Sequence, residues 1–211
     1  MSSPKIIAFY LSQFHPTPHN DLWWGKGFTE WINVAKAKPL FKGHYQPHIP
    51  GELGFYDLRL SEAREAQADL AKEYGVYGFC YWYYRFSKEN YELELPLQKM
   101  LTSKKPDFPF MVCWANESWH RKLWSFDGTF TSEILQEQKY GNEQDIEDFF
   151  YEVLPLFQDS RYIRIKNMPA FMIYKPKEIP DVQKFMKIWN SLAIKEGLNG
   201  VYFIGYLTGE I

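Results

Sequence analysis

Five short apolar runs alternate along the chain with segments whose apolar residues have helical spacing, and this alternation limits the possible folds. The runs lie at residues 6–11, 76–83, 110–114, 170–174 and 201–205, and the helical segments lie at 57–74, 95–103, 142–157 and 180–196. A run without polar alternation is typical of a strand buried on both faces. The order βαβαβαβαβ therefore predicts an α/β fold with a parallel sheet and right-handed crossovers.

Such a sheet can close into a barrel or stay open as a doubly wound sheet. The first connection, from Ser12 to about Tyr56, is much too long for the Gly-rich phosphate loop of a doubly wound fold. Long loops of this kind are usually functional, and barrels carry theirs after the strands. We therefore favour a (β/α)8 TIM-type barrel. A complete barrel needs about 250 residues, so residues 1–211 predict one incomplete barrel domain with about five βα units.

The tryptophans are concentrated at one end of the predicted sheet. Seven of the eight Trp residues end a predicted strand or follow one, and only Trp189 lies on a predicted helix. In a (β/α) barrel this end carries the active site. A flat indole packs well against the C–H face of a pyranose. The distribution therefore indicates a sugar-binding face, although the same rings could also pack the long loops onto the rim of the barrel.

Polar side chains accompany these rings in the same loops. Carboxylate, amide, imidazole and phenol groups supply the donors and acceptors that sugar hydroxyls need. The predicted substrate-binding residues are Tyr10, Gln13, His15, Trp23, Trp24, Glu30, Trp31, His44, His48, Trp82, Trp114, Asn116 and Trp119.

Glu117 is the candidate catalytic residue. It lies three residues beyond a predicted strand, between Trp114 and Trp119. Apolar surroundings raise the pKa of a carboxyl group and suit it to general acid catalysis. The alternative is a glutamate that only orders its loop. Glu30 and Asp127 are weaker candidates of the same kind, and glycosidases usually need two carboxyl groups.

Other functional classes lack their signatures. There is no phosphate-binding loop, no G-x-S-x-G motif and no Asp-x-Asp pair, and Pro47 separates His44 from His48, so neither a metal nor a cofactor is expected. The net charge of −2 gives no reason to expect a nucleic-acid surface. No apolar run reaches the roughly 18 residues of a membrane span. Cys80 and Cys113 lie in apolar runs, which predicts buried thiols. Without a signal peptide, these features predict a cytoplasmic location and leave the oligomeric state open.

Five sequence blocks carry a resemblance to a known family: Phe9–Pro16, Trp23–Trp31, His44–His48, Leu53–Arg59 and Cys113–Trp119. They resemble the WbsX-like family, whose members carry a domain like that of glycoside hydrolase family 99, the endo-α-mannosidases. The resemblance implies a (β/α)8 barrel that acts on glycans, often on bacterial cell-surface polysaccharide. It leaves hydrolysis and glycosyl transfer both open.

The resemblance transfers no catalytic pair to this sequence. Family 99 hydrolases use two catalytic glutamates three residues apart on a late strand. WbsX-like proteins usually have a similar Trp-Asn-Glu-Trp-Ala-Glu block near the end of the domain. Asn116-Glu117 is similar locally but has no second Glu at that spacing, so the main pair is expected beyond Ile211. The leading prediction is a polysaccharide-acting glycoside hydrolase, and this piece alone is predicted to be inactive. The alternatives are a glycosyltransferase of O-antigen or surface-polysaccharide biosynthesis and a non-catalytic glycan-binding module.

Overall fold

The structure, a computed structural model, describes residues 4–124 and 130–206 of the chain. The chain divides into two compact units, which are described separately. The first unit runs to Tyr81 and includes Leu93–Pro109, and the second unit holds Trp82–Glu92 and continues from Phe110. Strand β2 (Val76–Ser87) contributes residues to both units. The expectation of a single domain stays a prediction.

A parallel strand pair and four helices make up the described part of the first unit. Strand β1 (Ile6–Tyr10) pairs in parallel with the first half of β2, with Tyr10 opposite Tyr81. The helices are α1 (Pro18–Trp24), α2 (Glu30–Lys36), α3 (Ser61–Glu73) and α4 (Leu95–Ser103). Helices α1 and α2 lie inside the connection that was expected to be irregular. Each has seven residues, about two turns, which is too short to show a helical period.

Helix α3 begins at Ser61, four residues after the predicted start at Asp57. The carboxylate of Asp57 does not cap the helix, because its Oδ1 accepts a hydrogen bond from the Arg59 backbone N–H at 2.8 Å. The same carboxylate pairs with the Arg59 guanidinium at 2.6 Å. Asp57 therefore closes a turn ahead of the helix, and the predicted end at Tyr74 is confirmed by the left-handed Gly75, with φ at 77°.

A parallel sheet organises the second unit. Strand β4 (Phe110–Trp114) pairs with β2 and lies parallel to β8 (Met168–Ile173), which lies parallel to β9 (Tyr202–Gly205). Helices α5 (Glu143–Gln158) and α6 (Val182–Lys195) follow β4 and β8 in the chain and pack against each other. The predicted parallel α/β fold is thus confirmed, whereas closure of the sheet into a barrel stays a prediction.

The core of the second unit surrounds Trp189, the tryptophan that was expected on a helix. Its side chain is fully buried, and its Nε1–H donates to the Ile146 backbone oxygen at 3.0 Å. Phe149, Phe171 and Phe185 lie with ring centroids 4.6–5.0 Å from the indole. Burial of these rings is a main source of stability for the unit, and it fixes α5 and α6 against the sheet.

Three smaller strand pairings were not predicted. Strands β5 (Trp119–Trp124) and β6 (Phe130–Gln136) form an antiparallel hairpin in the stretch that was expected to be irregular. Hairpin backbone groups pair with each other, so the segment needs no continuous apolar run. Strands β3 (Asn90–Glu92) and β7 (Arg164–Ile165) add short antiparallel pairs to β2 and β8.

Strand β2 continues to Ser87, so Trp82 lies inside the strand instead of ending it, contrary to the prediction. Cys80 and Cys113 are buried thiols, as predicted. Across the residues that the structure describes, no helix has both the length and the apolar character needed to cross a membrane.

Candidate functional site

Asn116, two residues beyond β4, joins the carboxyl end of that strand to Lys175, two residues beyond β8. The Asn116 Nδ2 donates to the Lys175 backbone oxygen at 2.7 Å, and its Oδ1 accepts from the Lys175 backbone N–H at 2.7 Å. The pair of bonds imitates one more step of the parallel β4–β8 ladder, which the bond from Tyr174 N–H to the Trp114 oxygen also extends. Asn116 is fully buried. It therefore fixes the position of the Lys175 backbone.

Glu117 and Lys175 form an ion pair at these strand ends. The Lys175 Nζ lies 2.7 Å from the Glu117 Oε2, and the two side chains are 31% and 40% exposed. The ion pair with Glu117 raises the pKa of Lys175 above its ordinary value, so the ammonium stays charged. The apolar surroundings assumed for Glu117 are thus replaced by a cation. A carboxylate that pairs with an ammonium group through one oxygen can accept further hydrogen bonds through its other oxygen.

The Tyr174 ring lies near this ion pair and contacts two further aromatic rings. Trp82 and Tyr174 meet edge to face with centroids 5.3 Å apart, and Tyr174 stacks on Tyr206 at 5.4 Å. The Lys175 Nζ is 5.9 Å from the centroid of Tyr174. Tyr206 is exposed, and the other two rings are half-buried. We call Trp82, Asn116, Glu117, Tyr174, Lys175 and Tyr206 the strand-end site.

Tyr140 supports the strand-end site from the side. Its hydroxyl donates to the Asn116 backbone oxygen at 3.0 Å and accepts from the Asn116 Nδ2 at 3.2 Å. Burial raises the pKa of Tyr140 to about 12, outweighing the hydrogen bond from Asn116, which lowers it. The phenol therefore stays protonated at neutral pH. Tyr140 and Asn116 are thus hydrogen-bonded to each other next to the more exposed Glu117–Lys175 pair.

The strand-end site combines what a sugar-binding surface needs. Aromatic faces offer apolar platforms, and the ion pair offers charged donors and acceptors next to them. In parallel α/β sheets, ligands bind beyond the carboxyl ends of the strands, which is where the residues of the strand-end site other than Trp82 lie. In the part of the chain that the structure describes, no group of His, Cys, Asp or Glu side chains is arranged to hold a metal ion.

Trp114 and Trp119, two of the predicted sugar platforms, lie elsewhere in the second unit. Trp114 is 2% exposed and its Nε1–H donates to the Arg85 backbone oxygen at 2.9 Å. It stacks on Phe185 and lines a cavity of about 160 Å³ below the surface. Trp119 packs edge to face against Tyr84 and Phe86. The Trp114 side chain thus packs in the core of the second unit, and its indole has no exposed face.

Tyr10 and His15 are buried residues of the first unit. Tyr10 is 6% exposed, and its hydroxyl donates to the Gln67 Oε1 at 2.6 Å beside an open groove of about 380 Å³. Burial raises the pKa of Tyr10 well above its ordinary value. Burial also lowers the pKa of His15, which is 1% exposed, so its imidazole is neutral at pH 7. Contact of either side chain with a sugar stays a prediction.

The remaining predicted residues of the first unit do not form one cluster. Trp31 packs against Phe14 and Tyr56, and its Nε1–H donates to the Tyr56 backbone oxygen at 2.8 Å. Gln13 is half-buried. The other predicted residues each make a local contact: Trp23 stacks on His19, Trp24 contacts Phe28, Glu30 accepts a hydrogen bond from Asn33, His44 stacks on Phe41, and His48 packs edge to face against Tyr45. Asp127 lies outside the described residues.

Sequence reasoning missed Tyr140, Tyr174, Lys175 and Tyr206. A signal existed for Tyr174 and Lys175, because they end the fourth predicted strand or follow it directly, as Glu117 follows the third. No comparable signal marks Tyr140, which reaches Asn116 across 24 residues of chain. Only the folded sheet reveals that contact.

Comparison with known proteins agrees with this fold. A solved structure of the GH99 endo-alpha-mannosidase from Bacteroides thetaiotaomicron in complex with BIS-TRIS-propane has a TM-score of 0.54 and 14% identity, over 95% of this chain and 52% of that chain. At this identity the likeness shows a shared fold. The fold and the strand-end site therefore define an α/β protein with a parallel sheet and an aromatic, polar site at the carboxyl ends of its strands.

The chain belongs to the family described as Glycosyltransferase WbsX, whose model matches residues 6–210. Two relatives from strains of Xanthomonas campestris pv. campestris, both named uncharacterized protein WxcX, are 37% identical to it over 204 residues. The matched region is 97% of this chain and 28% of each relative. The predicted resemblance to the WbsX-like family is thus confirmed.

Proposed function

We propose that the protein is a carbohydrate-active enzyme that acts on the glycosidic bonds of a bacterial polysaccharide, and that it cleaves them. The observation that carries this proposal is the Glu117–Lys175 ion pair near the Tyr174 ring, which in turn contacts the rings of Trp82 and Tyr206. The shared fold with a GH99 endo-alpha-mannosidase and the membership of the WbsX family support it. In this proposal the parallel sheet belongs to a (β/α)8 barrel.

The strand-end site offers two elements of glycosidase chemistry. The aromatic rings hold the apolar face of a sugar, and the Glu117 carboxylate accepts hydrogen bonds from its hydroxyls or faces the positive charge of an oxocarbenium-like transition state. In both roles the Lys175 ammonium group orients the Glu117 carboxylate. A second carboxyl group, needed for either stereochemical outcome, is not part of the strand-end site as defined.

The test uses the full-length protein and a panel of purified bacterial O-antigen and capsular polysaccharides, with new reducing ends as the measured product. Glu117→Gln should lower kcat/KM by at least about 10²-fold, as expected when a carboxylate at the reacting centre is lost. Glu143→Gln is the matched control, because Glu143 forms an ion pair of the same 2.7 Å length with Lys184 between α5 and α6. Absence of reducing ends from every polysaccharide would refute hydrolysis.

A glycosyltransferase is the second candidate, and the family description favours it. A transferase holds an activated sugar donor, so it should bind a nucleotide sugar or a lipid diphosphate sugar. Calorimetric titration with a panel of nucleotide sugars separates the two functions. Tight binding without release of reducing ends would favour transfer, whereas glycan binding without either activity would indicate a non-catalytic module.

A further inference from the structure

The ammonium group of Lys175 has no role in holding the backbone of the strand-end site. The backbone of Lys175 is already held on both its N–H and its carbonyl oxygen by Asn116. A half-exposed ion pair adds little to stability, because water competes for both charges. The Lys175 Nζ nevertheless lies 2.7 Å from the Glu117 Oε2 and 5.9 Å from the centroid of the Tyr174 ring.

Asn116 and Glu117 are adjacent in the chain and hold the two ends of the same lysine. Asn116 holds the backbone of Lys175, and Glu117 holds the ammonium group. An ammonium group has three donors, and a carboxylate has two acceptor oxygens. The single contact between the Lys175 Nζ and the Glu117 Oε2 leaves donors on the lysine and an acceptor oxygen on the glutamate for a ligand.

The charges around Lys175 argue against an anionic ligand. Glu117 neutralises the ammonium group, and Glu178 adds a second negative charge that also acts on Lys175. An anionic sugar, such as a uronic acid, would approach one positive and two negative charges. A neutral sugar instead offers adjacent hydroxyl groups, one of which can accept from the ammonium group while its neighbour donates to the carboxylate.

We propose that Lys175 and Glu117 together bind two neighbouring hydroxyl groups of one neutral sugar residue whose ring lies against Tyr174, and that Asn116 is the positioning residue for Lys175. The proposal rests on the proposed function, because it identifies the class of sugar that the strand-end site accepts. It makes Lys175 a specificity-determining residue. Its removal should weaken binding of the ground state and the transition state equally.

The experiment compares variants of the full-length protein on the polysaccharide that the wild type cleaves in the reducing-end assay. If none is cleaved, affinity electrophoresis in gels containing the same polysaccharides measures binding. Lys175→Met should raise KM or the dissociation constant at least about tenfold, with kcat changed less than about threefold. Lys175→Arg keeps the charge and should stay within about threefold of the wild type. Lys184→Met, from the ion pair between α5 and α6, should match the wild type.

The positioning role of Asn116 is tested by Asn116→Ala combined with Lys175→Met. If Asn116 acts through Lys175, the double variant should bind about as weakly as Lys175→Met alone, because coupled residues are not additive. Additive losses would remove this part of the proposal. Melting temperatures of all variants identify any that fail to fold. If Lys175→Met is one of them, Lys175→Gln, which also removes the charge, takes its place with the same expected loss.

The outcomes separate the two proposals. An active wild type whose Lys175→Met variant behaves like Lys184→Met would overturn the role of Lys175 and leave the proposed function standing. Preference for acidic over neutral polysaccharides would overturn the choice of a neutral sugar. A wild type that neither binds nor cleaves any glycan would overturn both proposals.

Discussion

Replacement of Asn116 by alanine tests whether this residue ties β4 to β8. The side chain is fully buried and makes three hydrogen bonds, two to the Lys175 backbone at 2.7 Å and one to the Tyr140 hydroxyl at 3.2 Å. Alanine removes all three. It also leaves the Lys175 backbone N–H and oxygen without their partner, where water has only partial access because Lys175 is half-buried.

The expected loss of stability follows from these bonds. Each intramolecular hydrogen bond contributes about 1 kcal/mol net, and a partner left unsatisfied adds a desolvation penalty that water reduces here. The three bonds and the reduced penalty together mean that Asn116→Ala should lower the free energy of unfolding by about 3–4 kcal/mol. At roughly 2–4 °C per kcal/mol for a chain of this size, the melting temperature should fall by about 6–16 °C.

Thermal and denaturant unfolding followed by near-ultraviolet circular dichroism measures this loss, because the tyrosines around Asn116 contribute to the signal. Asn33→Ala is the control, since Asn33 is exposed on α2 and makes one bond, to the Glu30 carboxylate at 3.0 Å. The control should change stability by less than about 0.5 kcal/mol. If Asn116→Ala changes the free energy of unfolding as little as the control does, Asn116 does not hold the two strand ends together.

Four further predictions concern charge, pH and association. Glu152→Gln should lower unfolding free energy by about 2–3 kcal/mol in denaturant titrations, because it leaves the Arg85 guanidinium, 3% exposed, without its carboxylate; an unchanged midpoint would contradict this. Tyr140→Phe should remove the phenol that ionises near pH 12 from an ultraviolet titration; persistence of that step would assign it to another tyrosine. Burial lowers the pKa of His15, so its stabilising effect is present above the unfolded value of about 6.5 and is lost as pH falls through the folded value. His15→Gln should therefore flatten the acid side of the melting-temperature profile, and an unchanged slope would refute this. Ile6, 59% exposed on β1, should promote association of the 211-residue chain, and Ile6→Lys should reduce it in light scattering; equal association would exclude this edge.

The parallel sheet and its helices could be predicted from the sequence because burial on both faces leaves a continuous apolar run. Strands β4, β8 and β9 follow this rule, and helices α5 and α6 show the helical spacing of their apolar residues. All five elements were expected within a few residues of their bounds. The helix start at Asn142 was also readable, because a capping box with Asp145 is a local signal. The β5–β6 hairpin could not be predicted in this way because it is stabilised by backbone pairing.

The candidate site was only partly predictable. The strand-end rule identified Asn116 and Glu117, but it could not distinguish a residue that contacts ligand from one that ties two strands. Asn116 belongs to the second kind because its side-chain amide hydrogen-bonds to the backbone of Lys175, 59 positions away. The ion pair of Glu117 is equally non-local, so apolar neighbours were predicted where the fold places the Lys175 ammonium group. Trp114 was mispredicted for a similar reason, because the sequence does not reveal whether a residue at a strand end is exposed or buried.

Fluorine NMR of protein labelled with 5-fluorotryptophan gives the most direct test of glycan binding at the strand-end site. Trp82 lies in the site, whereas Trp114 and Trp189 are buried in the core, at 2% and 0% exposure. Signals are assigned with single Trp→Phe variants, and the full-length protein is titrated with oligosaccharides prepared from bacterial surface polysaccharide. Glycan binding at the strand-end site should shift the Trp82 signal with saturation while the Trp114 and Trp189 signals stay in place. A glycan that binds to saturation and leaves the Trp82 signal unmoved would contradict binding at this site.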